Sequence, residues 1–324
     1  MGPAAIYSRA YYLWTIFAGV VYGLILRGAV QIHWPVPPVL SFGFILSVPF
    51  GMGFIAVFLA ERQTPQSFGA WLYVPFVTVS VALFGTMLAA WEGFICVAMF
   101  APIAWLCGIG GGITAGLIAR YMRRSAANVS LMIVIVLPFL VTPPAQKLFY
   151  SYDVRSVSSV IDIHAPPDLV WRNIERVPSI QASELPPAWN RRIGFPAPDE
   201  ATLSREGVGG VRHATFKGGV LFMETVDTWE PDQRLGFSIR AQAELIPKTT
   251  LDEHVRMGGP YFDVLHGEYA LEPLGNGITR LHLTSRHRVS TDVNWYAHLW
   301  TDAVMRDIQR SILFVIKNRC ERQQ

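Results

Sequence analysis

Charge is nearly missing from the first half of this sequence. Up to Ser151 there are seven Lys or Arg (Arg9, Arg27, Arg62, Arg120, Arg123, Arg124, Lys147) and two acids, Glu61 and Glu92. The rest holds the other 20 bases and 22 acids, so the halves carry +5 and −2. Such a division reads as a membrane domain, 1–150, followed by a soluble one, 151–324. Cysteine is scarce too. Cys96, Cys107 and Cys320 offer no CxxC or zinc spacing, which excludes a disulfide framework. No HExxH motif supports a metal, and no GxSxG, P-loop or dinucleotide fingerprint occurs. The glycines Gly207, Gly209 and Gly210 precede a strand rather than a helix, so they do not cradle phosphate. The second half has no basic block with interleaved aromatics, which argues against a nucleic-acid partner. Neither a metal nor any other cofactor is expected.

What the first half does have is long apolar runs: Tyr11 to Val30, Val39 to Ala60, Gly69 to Ala90 and Gly93 to Ala119. Each reaches the roughly 20 residues that cross a bilayer. A fifth run, Val129 to Pro143, has only about 15 residues and falls short of a ~30 Å core unless Gln146 to Tyr150 extend it. Arg9, Arg62 and the Arg120–Arg123–Arg124 cluster fall at alternate ends of successive runs, which places the amino terminus in the cytoplasm. Five spans then put the second domain outside, in the periplasm of a bacterial inner-membrane protein; four spans and a re-entrant fifth leave it inside. Arg27, near the outer end of the first run, is expected to reach the headgroups. Gly108, Gly112 and Gly116, with Gly43, Ser47 and Gly51 and the pair Gly19 and Gly23, allow close helix contact. No Asp, Glu, Lys or His sits in mid-span, so ion transport has no support and the bundle reads as an anchor or lipid-facing platform.

From Tyr152 the pattern changes. Val157 to His164 alternates as a strand, and Asp168 to Arg176 reads as a helix after a proline start. Val177 to Gly210 is rich in Pro and Gly, with a short helical possibility at Ala182 to Leu185, and reads as a flexible cover. Strands are expected at Gly210–Phe216, Val220–Trp229, Arg234–Gln242, Val255–Met257, Tyr261–Leu274 and Gly277–Ser290. A long helix, Ser290 to Arg322, closes the chain. Its apolar stripe is Trp300, Val304, Ile308, Ile312 and Val315, with Asp302 and Gln309 assigned to the opposite face. One curved antiparallel sheet gripping that helix is the economical packing.

Three stretches carry a resemblance: VIDIHAPPDLVWRNIERV, GGVRHATFKGGVLFMETVDTWEPDQRLGFSIRA and YALEPLGNGITRLHLTSRHRV. They resemble the START-like (SRPBCC) superfamily, over about Val154 to Cys320. The apolar runs give a transmembrane bundle of four or five spans, and the resemblance, which covers none of that half, implies that an α+β helix-grip domain whose cavity holds a hydrophobic small molecule follows it. A lipid, isoprenoid or quinone drawn from the membrane suits a tethered domain. A cyclase or hydrolase acting in the same cavity, and a ligand-gated sensor with a partner protein, are the rival readings.

Within the strands, Phe222, Glu224 and Val226 share one side. If that side is inward, burial raises the Glu224 carboxyl and suits it to acid chemistry or ligand bonding; the alternative is an exposed or cross-strand-paired carboxylate. His266, Glu268, His282, His287 and His254 are the nearest approach to a polar constellation. Leu281 and Leu283 share the face of His287, which points it inward, with His266 expected nearby. Trp300, Val304 and Ile308 complete the expected ligand contacts, with Glu224 and His287 as catalytic candidates.

Overall fold

The computed structural model describes residues 3–31, 40–122, 124–242 and 256–323. The chain forms two compact units, Met1–Tyr150 with Thr291–Val293, and Ser151–Ser290 with Asn294–Gln324.

The first unit consists of α1 (Pro3–Gln31), α2 (Val48–Gln63, entered through a π-helical turn at Gly43–Ser47), α3 (Phe68–Leu88), α4 (Phe94–Tyr121) and α5 (Arg124–Phe149). All five contain a segment long and apolar enough to cross a membrane. In α5 that segment is Asn128–Phe149, 22 residues, or ~33 Å at 1.5 Å per residue. The fifth run is therefore not short: the helix continues through Pro138, Pro143 and Pro144 to Phe149. Pro138 leaves the Val134 carbonyl without its helical donor, and the Tyr22 hydroxyl lies 3.5 Å from that oxygen and 3.3 Å from the Ile135 carbonyl.

Small residues set the spacing of α2, α3 and α4. A methyl group on Gly112 would overlap Pro75, and one on Gly116 would overlap the Trp71 ring, both on α3. Gly111 abuts the Phe50 carbonyl and Gly53 the Gly108 carbonyl, so α2 and α4 meet backbone to backbone. Arg27 departs from its expected place. It is buried, donating to Glu92 at 2.6 Å and to the Trp91 carbonyl at 2.7 Å, because the α3–α4 turn brings both acceptors to its level. Glu61 is likewise buried and paired, accepting from Arg120 (2.7 Å), the Gln66 amide (2.8 Å) and the Trp71 indole (3.1 Å).

The second unit contains β1 (Ser151–Ile163), α6 (Pro167–Glu175), a 3₁₀ turn at Ala182–Glu184, α7 (Trp189–Arg192), β2 (Pro198–Leu203), β3 (Val211–Phe216), β4 (Val220–Glu230), β5 (Arg234–Ala241), β6 (Phe262–Gly275), β7 (Ile278–Thr291) and α8 (Asn294–Arg322). The strands make one seven-stranded sheet in the order β1-β7-β6-β5-β4-β3-β2. Every register described between β2 and β7 is antiparallel. The β6–β7 hairpin turns through Gly275, Asn276 and Gly277, all at positive φ (85°, 53° and 69°), the conformation glycine and asparagine tolerate best. Sheet plus long terminal helix is a helix-grip fold.

Two expectations change here. The Val177–Gly210 segment is not a free cover: Pro198–Leu203 forms the edge strand β2, paired with β3. Arg319 of α8 also bonds Glu184 (2.7 and 2.9 Å), the Pro178 carbonyl (2.9 Å) and the Ser179 carbonyl (3.1 Å). Those Arg319 bonds hold the Glu184 carboxyl down at about 2. Of the short strand expected at Val255–Met257, Met257 makes an isolated bridge to Phe262, Arg256 is in no strand, and Val255 lies outside the described residues.

Helix α8 buries Val304 and Val315 of its expected stripe and a second row beside it that was not expected. Met305, Gln309, Leu313, Ile316 and Cys320 are among its most buried residues, about one residue, or 100°, around from Val304, Ile308 and Ile312. The reason is that the polar members of this face find partners. Gln309 donates to the Val157 carbonyl and the Ser285 hydroxyl, both at 2.9 Å, and accepts from Ser159 at 2.8 Å. Asp302 accepts two bonds from Arg155, at 3.1 and 2.6 Å. The apolar face left over points into a cavity.

Candidate functional site

Between the sheet and α8 lies a cavity of about 120 Å³ with predominantly apolar walls. A dry engineered cavity of about 150 Å³ accepts a benzene-sized molecule, so one ring is the right scale. The sheet supplies Phe222, Phe237, Ile239, Leu283 and Ser285; α8 supplies Val304, Met305, Ile308, Gln309 and Ile312; and Val177, Ile180, Phe195 and Pro196 close it from the segment before β2.

One wall is charged. Arg212 and Glu224 face each other across the β3–β4 ladder and both line the cavity. The Arg212 Nη1 donates to Glu224 Oε2, and both side chains are almost fully buried. Tyr269, also in the wall, contacts the same guanidinium. Burial raises the Glu224 carboxyl above its ordinary range, against the downward pull of Arg212. Burial likewise pushes the Tyr269 hydroxyl up to about 12, keeping it a neutral donor. Among the described residues the Arg212 Nε–H has no partner. A buried donor left unsatisfied costs about 1–3 kcal/mol, so a ligand oxygen accepting from it would be favoured.

The expected site residues divide sharply by position. Phe222, Glu224, Leu283, Val304 and Ile308 line the cavity. Val226 and Leu281 do not; they sit in the close-packed core beneath, with Ile163, Trp171, Leu271 and Leu313. His266 lies on the outer face of the sheet, 3.2 Å from Asp227. A β-bulge between Val264 and His266 shifts the alternation there, which removes His266 and Glu268 from the neighbourhood of His287. His282 pairs with Glu272 at 3.2 Å, and His254 lies outside the described residues. Trp300 is not in the wall: its ring meets Trp189 at 6.2 Å and Tyr296 at 6.4 Å. Among the described residues no three His, Cys, Asp or Glu side chains converge as metal ligands would.

His287 is fully buried but stands behind the cavity, where Phe262, a wall residue, packs on its ring at 5.7 Å. Among the described residues neither ring nitrogen has a hydrogen-bond partner, and Asp302 Oδ1 is 3.5 Å from Nε2. Burial lowers its pKa, opposed by Asp302 and assisted by Arg155 and His298; burial lowers His298 as well. Burial is the largest single influence and works to raise Asp302, but the bonds and charge of Arg155, with the charges of His287 and Arg306, together hold the carboxyl low. A depressed imidazole means the unfolded chain binds the extra proton first, so stability falls as pH drops below about 6.5 and is flat above it. His287→Leu is expected to flatten that slope by up to one proton, about 1.4 kcal/mol per pH unit. Hydrogen exchange of the β7 amides at pH 5 and 7.5 measures it, and an unchanged slope would refute the assignment.

Arg212, Tyr269 and Gln309 were not expected in the wall. Arg212 shares strand parity with Ala214 in VRHATF, a readable signal; Gln309 had none, since its burial depends on Val157, Ser159 and Ser285.

No family model matches the chain, and no curated protein matches it. Among solved structures, the chain is similar to an aromatase/cyclase, Zhui, from Streptomyces sp. R1128 (18% identity, 53% of this chain and 96% of that one, TM-score 0.33). It is also similar to norcoclaurine synthase from Thalictrum flavum, solved with dopamine and hydroxybenzaldehyde (11%, 54% and 90%, TM-score 0.34). A conserved protein from Geobacillus kaustophilus is a third such neighbour (14%, 52% and 97%, TM-score 0.33). Identities this low leave the chemistry to this chain's own side chains.

Proposed function

We propose that this chain is a membrane-tethered binding or transfer protein of the START-like type, with a transmembrane domain at 1–150 and a ligand domain at 151–324. The observation that carries the reading is an apolar cavity with one charged wall, Arg212–Glu224, whose Arg212 Nε–H is unpartnered. The ligand is a hydrophobic ring- or chain-bearing molecule, of the lipid, isoprenoid or quinone kind, with an oxygen at one end. Its apolar part is buried against Phe222, Phe237 and Ile308, at about 25 cal/mol per Å². Its oxygen takes the Arg212 Nε–H. A molecule larger than one ring needs the segment before β2 to part from α8, and the Arg319–Glu184 bonds are the latch. The alternation of arginines between helix ends supports an amino terminus in the cytoplasm and a ligand domain on the opposite side of the membrane.

An enzyme of the cyclase or hydrolase type is the second reading, favoured by the raised Glu224 carboxyl, which retains a proton to higher pH than an exposed one. Native mass spectrometry of the full chain tests the binding proposal. Wild type is expected to retain a co-purifying small molecule, and Ile308→Trp, which fills the cavity with a larger side chain, to lose it while staying folded. Retention by both would place the molecule elsewhere. Turnover of the retained molecule that disappears in Glu224→Gln would favour the enzyme.

A further inference from the structure

The start of α8 is clamped to the start of β1. The Asn294 side chain donates to the Ser151 carbonyl (3.1 Å), the Ser151 hydroxyl (2.9 Å) and Asp153 (2.9 Å), and His298 lies 3.2 Å from Asp153. Ser151 is the second residue after Phe149, where the apolar segment of α5 ends. Two residues span at most about 7.6 Å. The first turn of α8 is therefore held to a strand that begins two residues after a membrane-length helix ends.

The side chains displayed there are the wrong ones for water. Trp295 and Leu299, one turn apart, are 55% and 65% exposed, and Tyr152, next to Ser151, is 61% exposed. At the end of the first unit, Leu148 and Phe149 in the last turn of α5 and Tyr150 just after it are exposed as well. Single exposed apolar residues need no explanation, but a cluster at one rim does. Tryptophan and tyrosine concentrate at the headgroup level, where an apolar ring with a polar edge is best accommodated. The Arg288 guanidinium stands 5.7 Å from the Tyr152 ring and donates to the Gly259 carbonyl.

We infer that this rim, Trp295 and Leu299 on α8 with Tyr152 on β1, is a lipid-contact surface that the short chain connection to α5 seats in the bilayer interface. The inference rests on the membrane reading of the first unit. It has a functional consequence: Val304 and Ile308, on the same helix and two to three turns further on, line the cavity, so the helix that touches lipid is the helix that covers the ligand.

The test is quenching of tryptophan emission in the full chain reconstituted into phosphatidylcholine vesicles, plain or brominated at shallow or deep acyl positions. The Trp295 contribution is the difference between wild type and Trp295→Phe. Trp14→Phe gives a membrane reference from exposed Trp14 on α1, and Trp229→Phe a core reference, since Trp229 packs on Trp171 at 5.1 Å. The expected result is loss of most Trp295 emission with shallow bromines, a smaller loss with deep ones, and none for Trp229. Quenching of Trp14 without Trp295 would overturn the surface while leaving the membrane reading standing. Quenching of neither would overturn both.

Discussion

Arg212→Met, with Glu224 left in place, is expected to destabilise the second unit by about 3–5 kcal/mol, the cost of leaving one partner of a buried ion pair uncompensated. The two side chains are buried against each other in the wall of an apolar cavity. The double variant Arg212→Met with Glu224→Leu is expected to recover most of that loss, because two apolar groups of similar volume replace the pair without an orphaned charge. The single variant also extends to higher pH, with the same sign, the pH dependence that the raised Glu224 carboxyl already confers. Without Arg212, burial alone acts on Glu224 and raises its folded pKa above the unfolded value of about 4.3. The folded state then binds the proton more tightly, so the variant is most stable below that value and loses stability as pH rises through the raised pKa. Hydrogen exchange of the β3 and β4 amides reads this directly. Equal damage in the single and double variants would mean that the pair is not a coupled unit.

The second large effect is in the membrane-length bundle. Gly111→Val is expected to force α2 and α4 apart, since any Cβ there overlaps the Phe50 carbonyl oxygen, a backbone atom that moves only with its helix. Overpacking of this kind costs about 1–3 kcal/mol, occasionally more. Its neighbour is the control. A Cβ at Gly110 meets nothing within 4 Å, and Gly→Ala in a helix interior gains up to about 1 kcal/mol. Gly111→Val should therefore lower the melting temperature of the detergent-solubilised chain and Gly110→Ala should not. Similar shifts for both would contradict the backbone-to-backbone packing.

These positions show what was legible in the sequence and what was not. The apolar runs, the strand alternation and the terminal helix were legible because each is a local periodicity, and each appears as five long apolar helices, a sheet and α8. The face of α8 was not. Its sequence stripe is real, but the partners that accept Gln309 and Asp302 come from β1 and β7, about 150 residues or a strand away, and periodicity does not see them. His266 was misplaced for a different reason: one extra residue in a bulge inverts every side chain beyond it. Arg27 was assigned to the headgroups because a lone cation near a helix end usually snorkels; its partner Glu92 lies 65 residues on. Across the site the pattern repeats. Glu224 was readable as a residue of interest, while Arg212, which completes it, required the register between β3 and β4.

The central claim is that the space between the sheet and α8 is occupied by an apolar molecule whose polar end meets Arg212. A cryo-electron microscopy map of the full chain, extracted in discs of its native membrane, tests it most directly. The account predicts continuous non-protein density running from the Arg212 Nε past Phe237 to Ile308. A map in which Val304 and Ile308 pack directly on Phe237 and Ile239, with no space between, would contradict it.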